Sequence, residues 1–167
     1  MKQFSNIEAF DISSNKRLEK NNTTKEIKVI ELAEFDKDYF YSISEDSKEE
    51  WKAIGMENCK NQRYYTVIGE NNVKLGIVGI YDIEDERNIT HIIIDPKFRG
   101  KKLLKKFYDQ LLQKEKPSFL TATIKIDNMP SIKSHEKAGF IKISNKEYEK
   151  EFQKYKYRLD LSGESLK

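Results

Sequence analysis

Residues 92–108 read Ile-Ile-Ile-Asp-Pro-Lys-Phe-Arg-Gly-Lys-Lys-Leu-Leu-Lys-Lys-Phe-Tyr, and this stretch decides the architecture. An apolar run stops at Asp95-Pro96, and a basic turn carrying Gly100 follows. Leu103, Leu104, Phe107, Tyr108, Leu111 and Leu112 then recur at helical spacing. A strand, a short loop and a helix in that order make an anion site. The N–H groups that open a helix lack partners, and the dipole favours negative charge there. Lys97, Arg99, Lys101, Lys102, Lys105 and Lys106 crowd the same end. Lysines flanking an apolar stripe are ordinary on a solvated helix, but cations at a helix N-terminus oppose its dipole. A bound polyanion removes the conflict, so the expected guest carries phosphate.

Outward from this stretch, the pattern predicts a layered domain. Residues 1–24 are polar and read as an extension, docked or loosely ordered through Phe4, Ile7 and Phe10. Residues 25–167 read as a single domain. Glu26–Leu32 alternates as a strand, and residues 36–60 read as one or two helices. Asp46 or Ser47 is the candidate cap ahead of Trp51, Ile54 and Met56. Tyr64–Gly69, Val73–Tyr81 and Asn88–Ile94 are three strands joined by hairpins at Glu70-Asn71-Asn72 and Glu84-Asp85-Glu86. A helix over 101–114 stops before Pro117. Phe119–Ile126 is a strand, Met129–Ala138 a short helix ended by Gly139, and Phe140–Ile143 and Tyr155–Leu161 close the sheet. The expected fold class is α/β in the mixed sense: a central, mostly antiparallel twisted sheet with helices on both faces.

Composition narrows the function classes. At 167 residues the chain is long enough for one core. No apolar run approaches the roughly 20 residues a membrane span needs, and the N-terminus leads into no apolar signal core. A single cysteine, Cys59, excludes an internal disulfide and a cysteine-rich metal site. Cytoplasmic residence, without a membrane partner, is the expectation. A net charge of +3 is too small for a general nucleic-acid surface.

Two motifs carry a resemblance. Arg99-Gly100-Lys101-Lys102-Leu103-Leu104 follows a strand that ends in a Pro-containing turn. Asn128, Ser131 and Glu136-Lys137-Ala138-Gly139-Phe140 follow about 30 residues later. Together, and in this element order from about residue 27 onward, they resemble the GNAT superfamily of acetyl-CoA-dependent N-acetyltransferases. Its pyrophosphate loop reads Arg/Gln-x-x-Gly-x-Gly/Ala, so Lys102 and Leu104 stand where the family keeps small residues. The resemblance implies acetyl-CoA as acyl donor and an amine as acceptor. It also implies backbone pairing of Ile92 and Ile94 with the pantetheine arm. The N–H groups of Gly100, Lys101, Lys102, Leu103 and Leu104 would hold the pyrophosphate beside Arg99, with Asn128 and Ser131 near the pantetheine. Asn128 reads equally well as a helix N-cap ahead of Pro130.

Acetyl transfer to an amine requires a proton acceptor for the amine, polarisation of the thioester and a proton for the departing thiolate. The family commonly takes the last from a tyrosine on the short helix, a position held here by His135. Histidine can donate near neutral pH, or it can simply pack there. Tyr108, Tyr148 and Tyr155 are alternative donors. His91 shares a strand face with Ile93, opposite Ile92 and Ile94, and reads as packed. Base positions on this strand in the family match Asn88 and Thr90, which cannot serve. Asp82, Glu84, Asp85 and Glu86 remain, with Glu84 the chosen candidate; a water chain is the alternative.

Three functions compete: an acetyltransferase, a non-catalytic module that keeps the fold, and a nucleic-acid contact through the basic turn. The last lacks interleaved aromatics beyond Phe98 and ranks behind the others, so no nucleic-acid partner is expected. Acceptor choice is expected in residues 36–62 and 144–157. The last strands leave an edge on which a second copy could form a homodimer.

Overall fold

Asparagines that tolerate left-handed backbone set the β2–β3 corner of the first meander. In the computed structural model, residues 26–44 and 59–161 are described. β1 (Val29–Glu34), β2 (Lys60–Gly69), β3 (Lys74–Ile83) and β4 (Glu86–Ile94) run antiparallel in sequence order. The β2–β3 turn closes through Asn71 and Asn72, both at φ 58°, which asparagine accepts more readily than most residues. β5 (Phe119–Lys125) lies parallel to β4. β7 (Lys154–Asp160) and β6 (Ile141–Lys142) complete a seven-stranded sheet in the order β1-β2-β3-β4-β5-β7-β6.

Helices cover both faces. α1 (Lys37–Ile43) packs Phe40 against Ile77 and Ile93 on one face. On the other, α2 (Leu104–Glu115) and α3 (Met129–Lys137) bury Leu104, Phe107, Tyr108, Leu111 and Ile132 over Val78, Ile80, Leu120 and Ala122. The strand alternation of β4 therefore divides it. Thr90, Ile92 and Ile94 look toward α2, and Ile93 toward α1. Burying each of these aliphatic side chains contributes about 1.5–3 kcal/mol.

The expected mixed sheet is the observed one, with local differences: β1 runs Val29–Glu34 against the expected Glu26–Leu32, and β2 begins at Lys60, at the end of the stretch 36–60 read as helical. The helix expected from residue 101 begins at Leu104, because Lys102 sits in the left-handed region at φ 58° and cannot continue a helical turn. Residues 144–157 also contain a short helix, α4 (Lys146–Phe152), capped by Asn145 Oδ1 accepting from Tyr148 N. The extension 1–24 and the stretch bearing Asp46, Ser47, Trp51, Ile54 and Met56 lie outside the described residues.

Candidate active site

β4 and β5 share one register pair among the described residues, Ile89 with Thr121. On its other side β4 stays paired with β3 as far as Gly76–Ile94. Beyond Ile89 the two parallel strands part. Ile92 and Ile94 keep a β3 partner and have no registered β5 partner. A strand edge inside a sheet, with backbone donors and acceptors to satisfy, is a place for an extended ligand arm.

The loop at the mouth of this opening is built by Asp95. Its buried carboxylate accepts from Lys97 N at 2.9 Å, which caps the turn Pro96–Phe98, and from Tyr39 Oη at 3.0 Å. Gly100 follows at φ 75°, where a side chain would meet only open space, and then Lys102. Leu103 and Leu104 point inward, 1% and 8% exposed. The branched side chain at 104 is therefore a core residue, and only its backbone faces the loop. Among the described residues no side chain caps α2, and its first intrahelical bond is Phe107 N to Leu103 O. The N–H groups ahead of Phe107 are thus without intrahelical acceptors.

The basic cluster divides. Lys105 pairs with Asp109 at 2.8 Å, and Lys106 donates to Glu26 and to Ile27 O. Lys97, Arg99, Lys101 and Lys102 are exposed with no carboxylate partner among the described residues; Arg99 Nε reaches Ile94 O at 3.4 Å. Four cations around uncapped N–H donors fit a polyphosphate.

Behind the point where the strands meet lies a buried polar chain. Thr90 Oγ1 is 3.0 Å from Tyr108 Oη and 3.3 Å from Thr121 O. Tyr108 Oη is 2.9 Å from His135 Nε2, and His135 Nδ1 is 2.8 Å from Ser131 O and 3.3 Å from Ser131 Oγ. Burial pushes the His135 pKa down, partly offset by the bond to Ser131, and pushes the Tyr108 hydroxyl up. The ring is therefore neutral, and it is 3% exposed.

Asn128 is the N-cap of α3, its Oδ1 accepting from Ser131 N at 3.2 Å. Glu84 is exposed on the β3–β4 turn, beyond the Ile89–Thr121 pair and at the opposite end of β4 from the loop. That separation is about 27 Å of strand at roughly 3.3 Å per residue. Of its neighbours, Asp82 accepts from Asn61 and Asn88 N, and Glu86 pairs with Lys156. The structure brings Ile92, Ile94, Arg99 and residues 100–104 to one opening and Ser131 and His135 to the polar chain. It leaves Glu84 apart. Two contributors escaped the sequence reading: Tyr39, and Asp95, whose place before Pro96 was a cap signal. His91 lies 2.8 Å through Nδ1 from Tyr64 Oη, with the Tyr81 ring centroid 4.5 Å away.

No curated protein matches the chain. Among solved structures, the Campylobacter jejuni N-acetyltransferase PseH in complex with acetyl coenzyme A is 15% identical, with a TM-score of 0.56 over 81% of this chain and 99% of that one. A chimera of the Vibrio cholerae spermidine N-acetyltransferase SpeG is 12% identical, with a TM-score of 0.55 over 81% and 96%. A domain from Methanocaldococcus jannaschii is 19% identical, with a TM-score of 0.54 over 81% and 99%. These likenesses carry the fold. The model of the acetyltransferase (GNAT) family matches residues 28–140. That span runs from β1 through α3 and takes in the parted strands, the basic loop and the polar chain, so the chain belongs to the GNAT acetyltransferase family.

Proposed function

We propose that the protein is an N-acetyltransferase that moves the acetyl group of acetyl-CoA to a primary amine of a small molecule or protein. The observation that supports it most is the parting of β4 from β5 beyond Ile89–Thr121, with a helix start and four cations at its mouth that have no side-chain cap and no carboxylate partner among the described residues. Ile92 and Ile94 would hold the pantetheine arm by backbone pairing, with Asn128 and Ser131 along it. Arg99 and the N–H groups of Gly100, Lys101, Lys102, Leu103 and Leu104 would hold the pyrophosphate.

Acetyl-CoA supplies an activated thioester; the chain supplies position and protons. His135 is the proposed proton-handling group beside the departing sulfur. Glu84, unpaired among the described residues, is the proposed carboxylate for the incoming amine. From its place on the turn it would draw in a cationic acceptor and take its proton through solvent. The homodimer is proposed through β6, the outer strand, where Ile141, and Ile143 just beyond the strand, are exposed.

Calorimetric titration with acetyl-CoA, using CoA and ATP as controls, tests the reading. Micromolar binding that Arg99→Ala weakens supports it, and thiol release against a panel of amines then identifies the acceptor. Absence of acetyl-CoA binding overturns it. A second reading, a binding module without turnover, draws on the burial of His135 with both ring nitrogens engaged. Binding without thiol release for any amine would favour it.

A further inference from the structure

Both ends of the buried chain are backbone carbonyls, Ser131 O and Thr121 O, and these can only accept. Between them lie His135, Tyr108 and Thr90, joined by four contacts of 2.8, 2.9, 3.0 and 3.3 Å. A neutral imidazole has one N–H, and each hydroxyl has one O–H, so three protons serve four contacts. Nδ1 meets Ser131 O at 2.8 Å and the Ser131 hydroxyl only at 3.3 Å, and the nearer carbonyl can only accept, so the ring proton sits on Nδ1. Nε2 is then an acceptor and takes the Tyr108 proton, and Tyr108 Oη accepts from Thr90. The contact left without a proton is the longest, Thr90 to Thr121.

We propose that Tyr108, backed by Thr90, is a positioning residue that donates to His135 Nε2 while Ser131 O keeps the ring proton on Nδ1, and that gives the ring a place to lodge one added proton at Nε2. When Nε2 gains a proton, the Tyr108 hydroxyl turns to donate to Thr90, and Thr90 turns to donate to Thr121 O. Four protons then fill four contacts and no buried acceptor is orphaned. The added proton enters from solvent and leaves to the departing thiolate, and as the ring gives it up the two hydroxyls turn back. No bond to carbon changes, and the positive charge resides on the ring only while the extra proton does. The benefit to catalysis rests on the reading of His135 as the proton-handling group; the tautomer does not.

The test is nitrogen NMR of the full chain labelled at histidine, near neutral pH and without ligand. There are two histidines, so the His91→Gln variant assigns the pair of rings. The expected native spectrum has His135 protonated at Nδ1 and bare at Nε2. In Tyr108→Phe, Ser131 O keeps the proton on Nδ1, but Nε2 loses its donor and its nitrogen resonance moves downfield to that of a bare ring nitrogen without a hydrogen bond. In Thr90→Val the Tyr108 proton has only Nε2 to go to, and the native tautomer persists. An Nε2–H tautomer in the native protein, a mixture in Thr90→Val, or an unchanged ring in Tyr108→Phe overturns the proposal. Where acetyl transfer is measurable, Tyr108→Phe is expected to lower kcat on the order of tenfold, the loss of one hydrogen bond made to the reacting group. KM for acetyl-CoA should not move, and a change confined to KM also counts against the proposal. The spectra need neither cofactor nor turnover, so failure of the acetyltransferase reading would leave the tautomer result standing and separately readable.

Discussion

The Tyr39 hydroxyl donates to Asp95 Oδ2 at 3.0 Å, across 56 residues of sequence, while Oδ1 of the same carboxylate accepts from Lys97 N. One buried side chain thus ties α1, on one face of the sheet, to the turn that opens the basic loop. Burial raises the Tyr39 pKa, and the Asp95 charge raises it further, so the phenol stays protonated and donating. Tyr39→Phe should cost about 1.5 kcal/mol, one hydrogen bond to a charged group. Asp95→Ala removes two and should cost about 3 kcal/mol. Urea unfolding measures both. Only Asp95→Ala uncaps the loop, so only it should also weaken acetyl-CoA. Equal weakening by both variants would mean that α1, and not the cap, shapes the loop.

Lys102 occupies the left-handed region at φ 58°, where a side chain costs about 1–2 kcal/mol. Lys102→Gly removes that strain but gives the unfolded chain more freedom, about 0.5–1 kcal/mol. The expected net gain is about 0.5 kcal/mol in unfolding free energy. The variant also removes one exposed cation from the loop, so acetyl-CoA binding should depend less steeply on salt. A destabilised variant would show that the lysine side chain makes a contact worth more than its backbone strain.

Leu104 marks what sequence alone could and could not settle. Its place in the apolar stripe was readable, and so was its departure from the small residue of the family motif. That both facts are compatible needed the backbone: the side chain turns into the core beside Leu103 and Phe107, and the loop sees only the main chain. Leu104→Ala should therefore cost about 2–5 kcal/mol, the range for emptying a packed leucine site. Tighter acetyl-CoA binding by a fully stable Leu104→Ala protein would contradict this placement.

The strands of the sheet were legible because their alternation is long and their turns carry Asn, Gly and Asp. α4 was not, since seven residues show too little periodicity; its available signal was Asn145 followed by Glu147 and Glu149 in the first turn. The basic loop was legible from local order. The polar chain was not, because Thr90, Tyr108 and His135 come from three elements and meet only when β4, α2 and α3 pack. The resemblance put His135 at the donor position on the short helix. That its partner is Tyr108 is a long-range fact.

Both histidines carry depressed pKa values, His91 to about 3 through burial, and His135 downward chiefly through burial. In the unfolded chain each ring titrates near 6.5. As pH falls through that value, the unfolded state takes up protons that the folded state refuses. Stability is therefore full above about pH 6.5 and falls below it; for His91 the loss is about 1.4 kcal/mol per pH unit and continues toward about pH 3, and His135 adds a loss of the same sign. Urea unfolding at pH 7 and pH 5 should differ by about 2 kcal/mol through His91, with a further loss of the same sign through His135. This window lies above the range in which Asp36, Asp82 and Glu149, whose pKa values are lowered, begin to contribute a loss of the same sign. His91→Gln should remove its share of the difference and leave the His135 share. Stability that stays level from pH 7 to pH 5 would mean that both rings accept protons in the folded state, against the burial of His135 and the Tyr64 contact of His91.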